Sequence, residues 1–297
     1  MSGITVAIPT YNRGAILVET IGRLLALEPR ADEIVIVDQT AEHPPEIAAK
    51  LTAWSAGGQI RWVRLEKPSV PAAMNHALRI ASQPIVLFLD DDLIPASSLA
   101  GVHLHAHGDG IWAVAGQVLQ PGEESRHFDE SRLHRGTLRD LEFPFSHDVA
   151  LDVENVMAGN LSVVRERALS IGEFDERYVY AAYRFESDFA RRVIAAGGRI
   201  RFEPAAQIRH LKLATGGIRS HGDPRRTAAP THSAGDYLFA MTHVPAFWRY
   251  AARRFRQNVF TRYTLAHPAA IPMKAIAEIR GLILARRLAR RESFAQR

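Results

Sequence analysis

Cysteine is absent from the 297 residues of the chain, and its absence excludes several kinds of site. There can be no disulfide framework, no thiolate zinc site and no cysteine nucleophile. The N-terminus also lacks a basic segment followed by an apolar run, so the sequence predicts no secretory signal. No apolar stretch has the length needed to span a bilayer. A reducing cytoplasm is compatible with the absence of cysteine but is not required by it, and we expect a cytoplasmic protein.

Two phosphate-binding motifs are missing as well. There is no GxGxxG after the first predicted strand and no P-loop, so neither a Rossmann dinucleotide site nor a P-loop NTPase is supported. The composition is that of an ordinary globular protein. The length leaves room for one large domain or two small ones.

Charge is distributed unevenly along the chain. The net charge is +5, but residues 246–297 hold twelve Lys and Arg against two Asp and Glu, a balance of +10. The rest of the chain is therefore acidic. A nucleic-acid enzyme should carry its basic surface around its site, so we expect no nucleic-acid partner. The pattern favours an acidic catalytic body with one basic docking face.

Strands and helices alternate through the first 120 residues. The sequence predicts strands at residues 4–8, 33–38, 60–65, 85–89 and 111–118, with helices between them, and this alternation predicts a mostly parallel α/β sheet flanked by helices. The pattern fails from 119 to 151. Beyond it we predict strands at 153–156, 161–164, 200–202 and 207–209 and a helix at 186–196. Residues 212–233 are predicted to form a loop, and the tail from 246 is predicted to be helical.

Three carboxylates, Asp90, Asp91 and Asp92, follow the strand predicted at 85–89. Ligands bind at this end of an open α/β sheet. Adjacent acids repel one another and are best held by a cation, and hard oxygen ligands suit Mg²⁺ or Mn²⁺ carrying a phosphate. The alternative is a solvated acidic turn before Pro95.

Polar side chains also follow the first two predicted strands. Thr10, Tyr11 and Asn12 could hold a nucleotide base and ribose, or could form a plain polar turn. Asp38 ends the second strand, where a carboxylate could accept hydrogen bonds from a base or a ribose hydroxyl.

The order and spacing of these motifs resemble glycosyltransferase family 2, a family of inverting nucleotide-sugar glycosyltransferases with the GT-A fold. The resemblance covers roughly residues 1–212. The matching pieces are Pro9-Thr10-Tyr11-Asn12-Arg13, Val37-Asp38, Ala73-Met74-Asn75, Asp90-Asp91-Asp92 with Pro95, Gly159-Asn160, Glu186-Ser187-Asp188 with Arg192 and Gly197, and His210.

The resemblance implies a role for each of these positions. Asp92, Asp90 and His210 match the site of the divalent cation, Mn²⁺ or Mg²⁺, and Gly159 and Asn160 match a turn beneath the sugar and acceptor. The catalytic base is Glu186 or Asp188, and Glu186 is favoured by alignment through Arg192. The nucleotide-binding positions are Pro9, Thr10, Tyr11, Asn12, Arg13, Asp38, Asn75, Asp90 and Asp91.

The sequence departs from the family pattern at two places. Gln39 follows Asp38 where a second acid is common, and Met74 stands where a basic residue often precedes Asn75. The first departure weakens the inference that Asp38 binds the nucleotide. The second removes one expected contact with the diphosphate.

The implied activity is inverting transfer of a sugar from a nucleotide-diphosphate sugar to a hydroxyl of a glycan or lipid-linked saccharide, in bacterial cell-surface polysaccharide synthesis. We expect a GT-A catalytic domain at 1–240 and a basic, aromatic-rich helical extension at 241–297. One alternative is a sugar-1-phosphate nucleotidyltransferase. Such an enzyme would need a Gly-rich basic loop after the first strand, and Pro9-Thr10-Tyr11-Asn12 is not such a loop. The other is a non-catalytic adaptor that binds a membrane surface or a polyanion through the tail.

Three further stretches allow two interpretations each. Aromatic and basic residues on the amphipathic tail suit contact with an anionic membrane, at the inner face of the plasma membrane, or else the aromatics pack on the body. The basic side chains around Gly216-Gly217 could close over a diphosphate or be solvated; they are Arg209, Lys212, Arg219, Arg225 and Arg226. The histidines His103, His105 and His107 alternate along a predicted helix, so a solvated helix end is favoured over a metal site.

Overall fold

One mixed sheet runs through the part of the chain that the computed structural model describes, which is residues 3–213, 217 and 227–291. The strands are β1 (Ile4–Thr10), β2 (Glu33–Asp38), β3 (Arg61–Arg64), β4 (Ile85–Leu89), β5 (Leu93–Pro95), β6 (Ile111–Leu119), β7 (Leu151–Val153), β8 (Asn160–Val164) and β9 (Arg199–His210). The helices are α1 (Ala15–Leu25), α2 (Pro45–Ala56), α3 (Val70–Ile80), α4 (Leu99–Ala106), α5 (Arg165–Ser170), α6 (Phe185–Ala195), α7 (Ser233–His243), α8 (Phe247–Val259), α9 (Arg262–Ala266) and α10 (Ile271–Ala289).

The strand order is β3-β2-β1-β4-β8-β6-β9-β5, with β7 paired to β9. The first four strands of this order are parallel. Strand β8 is antiparallel to both of its neighbours, whereas β6 and β9 are parallel to each other. The predicted fold class is confirmed: a central α/β sheet is flanked by helices and followed by C-terminal helices. Every antiparallel pairing involves a strand beyond these four.

The strands in the parallel half of the sheet are continuous apolar runs because helices cover both faces of the sheet there. All five residues of β4 are buried, and α1 buries Leu17, Ile21 and Leu24 at helical spacing. Strands covered on both faces bury both sets of alternating side chains. In the register of β1 and β2, Thr10 lies opposite Asp38. The carboxyl ends of these strands therefore form one polar edge of the sheet.

Three strand predictions need correction. The strands predicted at 200–202 and 207–209 are the two ends of the single strand β9. Both pair with β6, on either side of a register shift at which Gly116 pairs with Glu203 and Gln117 with Gln207. Pro204 lies within the shift, and proline cannot donate to a ladder. The strand predicted at 153–156 ends at Val153, and the short β5 was not predicted.

The C-terminal helices cover one side of this body. Helix α7 packs on α6 and extensively on α10, and it spans the predicted domain boundary between residues 240 and 241, so that division stays a prediction. Pro268 lies in the break before α10, and Pro272 lies in the first turn of α10, where proline is tolerated. In the described ranges, none of the helices has both the length and the apolar character that crossing a bilayer requires. Arg219, Arg225 and Arg226 of the predicted loop lie outside the described residues.

Candidate active site

A cavity of about 470 Å³ opens at the carboxyl ends of β1 and β4. Its wall includes Leu89 from the end of β4 and the N-terminus of α6. A ligand site is expected at this edge of a doubly wound sheet. The residues predicted from the sequence that line the cavity are Pro9, Thr10, Tyr11, Arg13, Asp90, Asp91, Gly159 and Glu186.

Asp90, Asp92 and His210 form a cluster in which one ligand atom from each lies within 4.8 Å of the others. Nε2 of His210 is 3.0 Å from Oδ1 of Asp92 and 3.8 Å from Oδ2 of Asp90. The antiparallel pairing of β5 with β9 sets Leu93 opposite His210, so the short strand β5 brings the late histidine to the acids. Two carboxylates and an imidazole are a donor set that suits Mn²⁺ or Mg²⁺. The cluster can hold a divalent metal.

Neighbouring groups aim these donors at one another. Nδ1 of His210 donates to Oε1 of Gln120 at 3.2 Å, which leaves Nε2 to face the carboxylates. The amide of Leu213 donates to Oδ2 of Asp92 at 3.1 Å. Burial opposes ionisation of Asp92, but contact with His210, the Leu213 amide and the charge of Arg13 hold its pKa below the ordinary value. Asp92 is therefore ionised at neutral pH, as a metal ligand must be.

Replacing Gln120 with leucine should weaken Mn²⁺ binding by about 10- to 100-fold, because partners that fix the orientation of a ligating histidine contribute about that much to metal affinity. Titration calorimetry with Mn²⁺ measures the change. Gln120→Glu keeps an acceptor for Nδ1 and serves as the matched control. Equal affinities for Gln120→Leu and the wild type would show that His210 does not depend on this contact.

Asp91 is not part of the cluster of Asp90, Asp92 and His210. It accepts a hydrogen bond from Oγ1 of Thr10 at 2.7 Å and forms an ion pair with Arg13, whose Nε lies 2.9 Å from Oδ1. Burial raises the pKa of Asp91 to about 7, against the lowering effect of Arg13 and Thr10. Arg13 also places Nη1 3.5 Å from Oδ2 of Asp92. Thr10 and Arg13 thus tie the end of β1 to the acids of β4.

Gly159 and Asn160 occupy different environments although they are adjacent. A Cβ on Gly159 would lie 2.2 Å from Oδ2 of Asp90, so any larger residue would displace this carboxylate from its place in the cavity. Asn160 is fully buried and donates through Nδ2 to the carbonyls of Gln117 and Ala206. The predicted acceptor role of Asn160 is not supported by its position, because its amide serves the interior of the sheet.

The histidine tract is not a solvated helix end. His103 and His107 are buried, and only His105 is exposed. His103 contacts Oδ1 of Asn160 at 2.8 Å, and both buried rings contact Oγ of Ser162. Burial lowers the pKa of His103 to about 3 and that of His107 to about 4. Both rings are therefore neutral parts of the core.

Asp38 lies below the cavity rather than on its wall. Its carboxylate accepts from the amide of Thr40 at 2.9 Å and from Nε1 of Trp62 at 3.0 Å, and Nε2 of His43 is 2.5 Å away. A carboxylate with three partners in its own chain has little capacity left for a nucleotide. The predicted nucleotide contact is not supported by this position, and the neighbouring Gln39 lines the cavity instead.

Asn75 and Asn12 also lie off the cavity wall. Asn75 is buried and joins α3 to the backbone of Phe174 through two hydrogen bonds of 2.8 Å. Asn12 is exposed and has a φ of +54°, and its backbone N–H donates a hydrogen bond to Oγ1 of Thr40. Met74, next to Asn75, faces the cavity. Both asparagines support the shape of the site instead of facing a ligand.

Glu186 lies in the first turn of α6 and lines the cavity. Burial raises its pKa to about 7; the charge of Asp90 adds to the rise and that of Arg184 opposes it. A carboxyl with such a pKa can accept a proton near neutral pH. Glu186 shares the wall of the cavity with Asp90, one of the candidate metal ligands.

Asp188 faces the opposite side of α6. It is buried, with Oδ2 2.9 Å from Nε of Arg192 and Oδ1 2.7 Å from Nε2 of His243. Burial works against its charge, but these partners hold the pKa of Asp188 below its ordinary value. Positions two apart on a helix do not share a face. The alternative assignment of Asp188 as the base does not fit this placement, because its carboxylate joins α6 to α7.

A comparison of the sequence with models of protein families shows to which family the chain belongs. The sequence model described as Glycosyl transferase family 2 matches residues 5–187. The chain belongs to glycosyltransferase family 2. The match includes the Asp triad and Glu186 but ends before His210, whose place in the site therefore rests on the geometry. A search of curated proteins gives no significant match.

Two solved structures share the fold of this family 2 glycosyltransferase. One is GalNAc-T7 with UDP, GalNAc and Mn²⁺, at 14% identity and a TM-score of 0.62, covering 98% of this chain and 55% of that one. The chain thus spans about half the length of GalNAc-T7. The other is mannosyltransferase PcManGT from Pyrobaculum calidifontis with GDP-Man and Mn²⁺, at 18% identity and a TM-score of 0.52, covering 96% and 73% respectively.

The C-terminal helices of the chain reach the cavity through Arg184, which sequence reasoning missed. Arg184 lines the cavity and places Nε 3.0 Å from Oδ1 of Asp236 on α7. Asp236 is buried and also accepts from the hydroxyl of Tyr250 at 2.6 Å and from Arg254. Residues of α7 and α8 therefore fix a cation two positions before Glu186.

Replacing Asp236 with asparagine should lower the free energy of unfolding by about 3 kcal/mol, because it leaves the largely buried guanidinium of Arg184 without its carboxylate and that of Arg254 with Glu278 alone. Urea denaturation measures the loss. Tyr250→Phe removes one hydrogen bond from the same carboxylate and is the matched control, with an expected loss of about 1 kcal/mol. Equal losses for the two variants would show that the ion pairs contribute nothing beyond a neutral contact.

Proposed function

We propose that the chain is an inverting, metal-dependent glycosyltransferase that moves a sugar from a nucleotide-diphosphate sugar to a hydroxyl acceptor. One observation carries the proposal: Asp90 lines the same cavity as Glu186 and also belongs to the cluster with Asp92 and His210. A candidate metal-binding group and a carboxyl of raised pKa thus face the same cavity. Sugar transfer needs a cation for the leaving diphosphate and a base for the acceptor hydroxyl.

The acids and His210 supply the leaving-group side of the reaction. A divalent cation bound by Asp90, Asp92 and His210 would act as a Lewis acid that neutralises the departing diphosphate. Asp92 holds one carboxylate oxygen on the Leu213 amide, and His210 is oriented by Gln120. These contacts fix the ligand atoms in advance, so binding a metal requires little rearrangement.

Glu186 supplies the acceptor side. Its ionised carboxylate takes the proton from the acceptor hydroxyl as that oxygen attacks the anomeric carbon. The bond between the anomeric carbon and the diphosphate breaks on the opposite face, and the electron pair leaves with the diphosphate. This single displacement inverts the anomeric carbon, so no second nucleophile is needed.

The donor is a nucleoside diphosphate sugar in this proposal, because both structural neighbours hold a nucleoside diphosphate group, as UDP beside GalNAc in one and as GDP-Man in the other. We place the nucleotide over the ends of β1 and β2. Pro9, Tyr11 and Gln39 line the cavity there, together with Ser69 at the start of α3. An apolar wall with a few polar groups is typical of a site for a small ligand.

The acceptor in this proposal is a glycan or a lipid-linked saccharide of bacterial cell-surface polysaccharide synthesis. The far wall of the cavity supports an extended acceptor because it is rich in aromatic rings, from Phe143, Phe145, Tyr180 and Tyr183. A lipid-linked acceptor would require the enzyme to work at a membrane. We place the protein in the cytoplasm, in peripheral contact with the inner face of the plasma membrane.

A thermal-shift panel of nucleotide sugars, each with and without Mn²⁺, tests the function. A true donor at about 100 times its Kd should raise Tm by roughly 5 °C, and only when Mn²⁺ is present. Product analysis should then show release of a nucleoside diphosphate. Release of pyrophosphate from a nucleoside triphosphate and a sugar phosphate would instead identify a nucleotidyltransferase.

A further inference from the structure

Exposed apolar side chains are concentrated in the C-terminal helices. Ten large apolar residues are exposed among the described parts of the chain, and seven of them lie between residues 248 and 283. Single exposed apolar residues need no explanation, but a concentration of them marks an interaction site. Their arrangement indicates what kind of partner they would meet.

Helix α10 has two faces of different character. Ile276, Ile279 and Ile283 are spaced three and four residues apart, so they form one stripe, and they are 43%, 50% and 46% exposed. The opposite face is buried, and a Cβ on Gly281 would lie 2.1 Å from Oγ of Ser233 on α7. The stripe is therefore the outer face of a helix whose inner face is fixed to the body.

Helix α8 adds an aromatic ring beside the end of this stripe. Trp248 is 61% exposed, and the guanidinium of Arg286 lies 4.9 Å from the centre of its ring. Arg286 follows Ile283 by three positions and so continues the stripe. The docking surface is defined here by Trp248, Ile276, Ile279, Ile283, Arg280 and Arg287.

Every exposed ionised side chain that the structure describes between residues 246 and 291 is an arginine, and there are nine of them. The single acid of this stretch, Glu278, is buried and accepts a hydrogen bond from the hydroxyl of Tyr237 at 2.7 Å. Nε of Arg254 lies 3.2 Å from the same carboxylate. Within the described residues 246–291 the acid is thus buried and paired, and the exposed ionised side chains are positive.

We propose that the docking surface binds an anionic lipid membrane, with the isoleucine stripe in the headgroup region and the arginines on the lipid phosphates. Apolar residues rimmed by cations are what such a surface recognises. A second copy of the chain fits poorly, because a two-fold contact would set the same arginines against one another. A nucleic acid would pair with the arginines but offers no apolar phase for the stripe.

The inner contacts make this surface a rigid part of the enzyme. Glu278 on α10 and Asp236 on α7 share Arg254, and Asp236 holds Arg184 at the cavity wall. Docking therefore fixes the cavity relative to the bilayer. The proposal names the partner in the peripheral contact placed under the proposed function, but it depends on neither the metal nor the donor.

Cosedimentation of the full chain with lipid vesicles tests the proposal. We expect binding to vesicles of phosphatidylcholine that contain about 30% phosphatidylglycerol, because anionic lipid attracts basic side chains. We expect little binding to vesicles of phosphatidylcholine alone. Binding should weaken strongly as NaCl rises, because salt screens the arginines. Equal binding to neutral and anionic vesicles, or none to either, would overturn the proposal.

Matched variants separate the two parts of the surface. Ile279→Ser with Ile283→Ser should reduce vesicle partitioning roughly tenfold or more, because two half-exposed isoleucines lose their burial. Arg280→Glu with Arg287→Glu should reduce it by more than about 25-fold, at about fivefold for each lost arginine. Leu138→Ser and Lys50→Glu, exposed positions on the body, are the controls and should bind as the wild type does.

Two further measurements keep the outcomes distinct. Sedimentation equilibrium without lipid should show a monomer, and a dimer abolished by the isoleucine variant would assign the surface to a second copy. Mn²⁺-dependent donor binding in solution should be unchanged in every variant. Loss of vesicle binding with intact donor binding therefore tests the docking surface alone, and a chain that binds vesicles but no donor would refute only the catalytic proposal.

Discussion

Asp92→Ala is expected to reduce sugar transfer by about 1000-fold or more, because the reaction loses the ligand that anchors the cation on the leaving diphosphate. Donor binding in the presence of Mn²⁺ should weaken in the same variant. The structure makes this residue the centre of the cluster: it contacts His210, and its other oxygen is fixed by Leu213. Initial rates of nucleotide release and calorimetric titration with donor and Mn²⁺ measure the two effects.

Asp92 is fully buried, so loss of folding must be separated from loss of the metal. Asp90→Asn provides the matched variant, because the Asp90 carboxylate is half exposed and the change keeps its shape. It should weaken Mn²⁺ binding while leaving Tm in the absence of metal unchanged. If Asp92→Ala is folded and turns over at the wild-type rate, the cluster is not the metal site of the reaction.

Glu186→Gln is expected to lower kcat by roughly 100- to 10,000-fold while donor affinity stays the same, because a general base acts on the acceptor and not on the donor. In the wild type the base must be ionised, so the rate should rise with pH through the pKa of about 7. Glu186→Gln should remove this rise. Steady-state kinetics between pH 5.5 and 8.5, roughly the span around that pKa, measure both effects.

Asp188→Asn is the control for this variant, because it makes the same chemical change on the same helix but away from the cavity. It breaks the ion pairs with Arg192 and His243, so it should lower stability and leave the pH dependence of kcat in place. A fall in donor affinity alone in Glu186→Gln, or loss of the pH dependence in Asp188→Asn instead, would show that Glu186 is not the base.

The stability of Glu186→Gln gives an independent check on the burial of this carboxyl. Its pKa in the folded state is raised from 4.5 to about 7, so the native state holds the proton more tightly than the unfolded chain. The associated stabilisation is complete below about pH 4.5 and is lost as pH rises through 7. Above pH 7 the metal-free variant should therefore melt at a higher temperature than the wild type.

The elements that sequence patterns predicted best are those whose signal is local. Strand β4 and the acids after it are adjacent in sequence, so a buried run followed by Asp90, Asp91 and Asp92 could be interpreted without the fold. Helix α7 was missed for the opposite reason. Its residues from Ser233 to Ala240 are all buried, so it shows no alternation of apolar and polar faces.

The orientation of individual side chains was harder to predict from the sequence, because it depends on residues far away along the chain. Asn75 is held by Phe174, 99 positions later, and Asn160 by the carbonyl of Ala206. A polar residue in a favourable position can satisfy its own chain as readily as a ligand. Arg184 and Asp236 are 52 positions apart, and neither belongs to a motif that could have drawn attention to the pair.

The carboxylate of Asp236 restricts how the protein can be shortened. A fragment ending at residue 240 would keep Asp236 and Arg184 but would lose Tyr250 and Arg254, which complete the shell of this carboxylate. Such a fragment would retain the whole segment matched by the family, yet it would expose the flank of α7 to water. Chimeras that exchange the C-terminal helices between family members would thus need a compensating partner for this acid, and helices transplanted without one should yield an insoluble product.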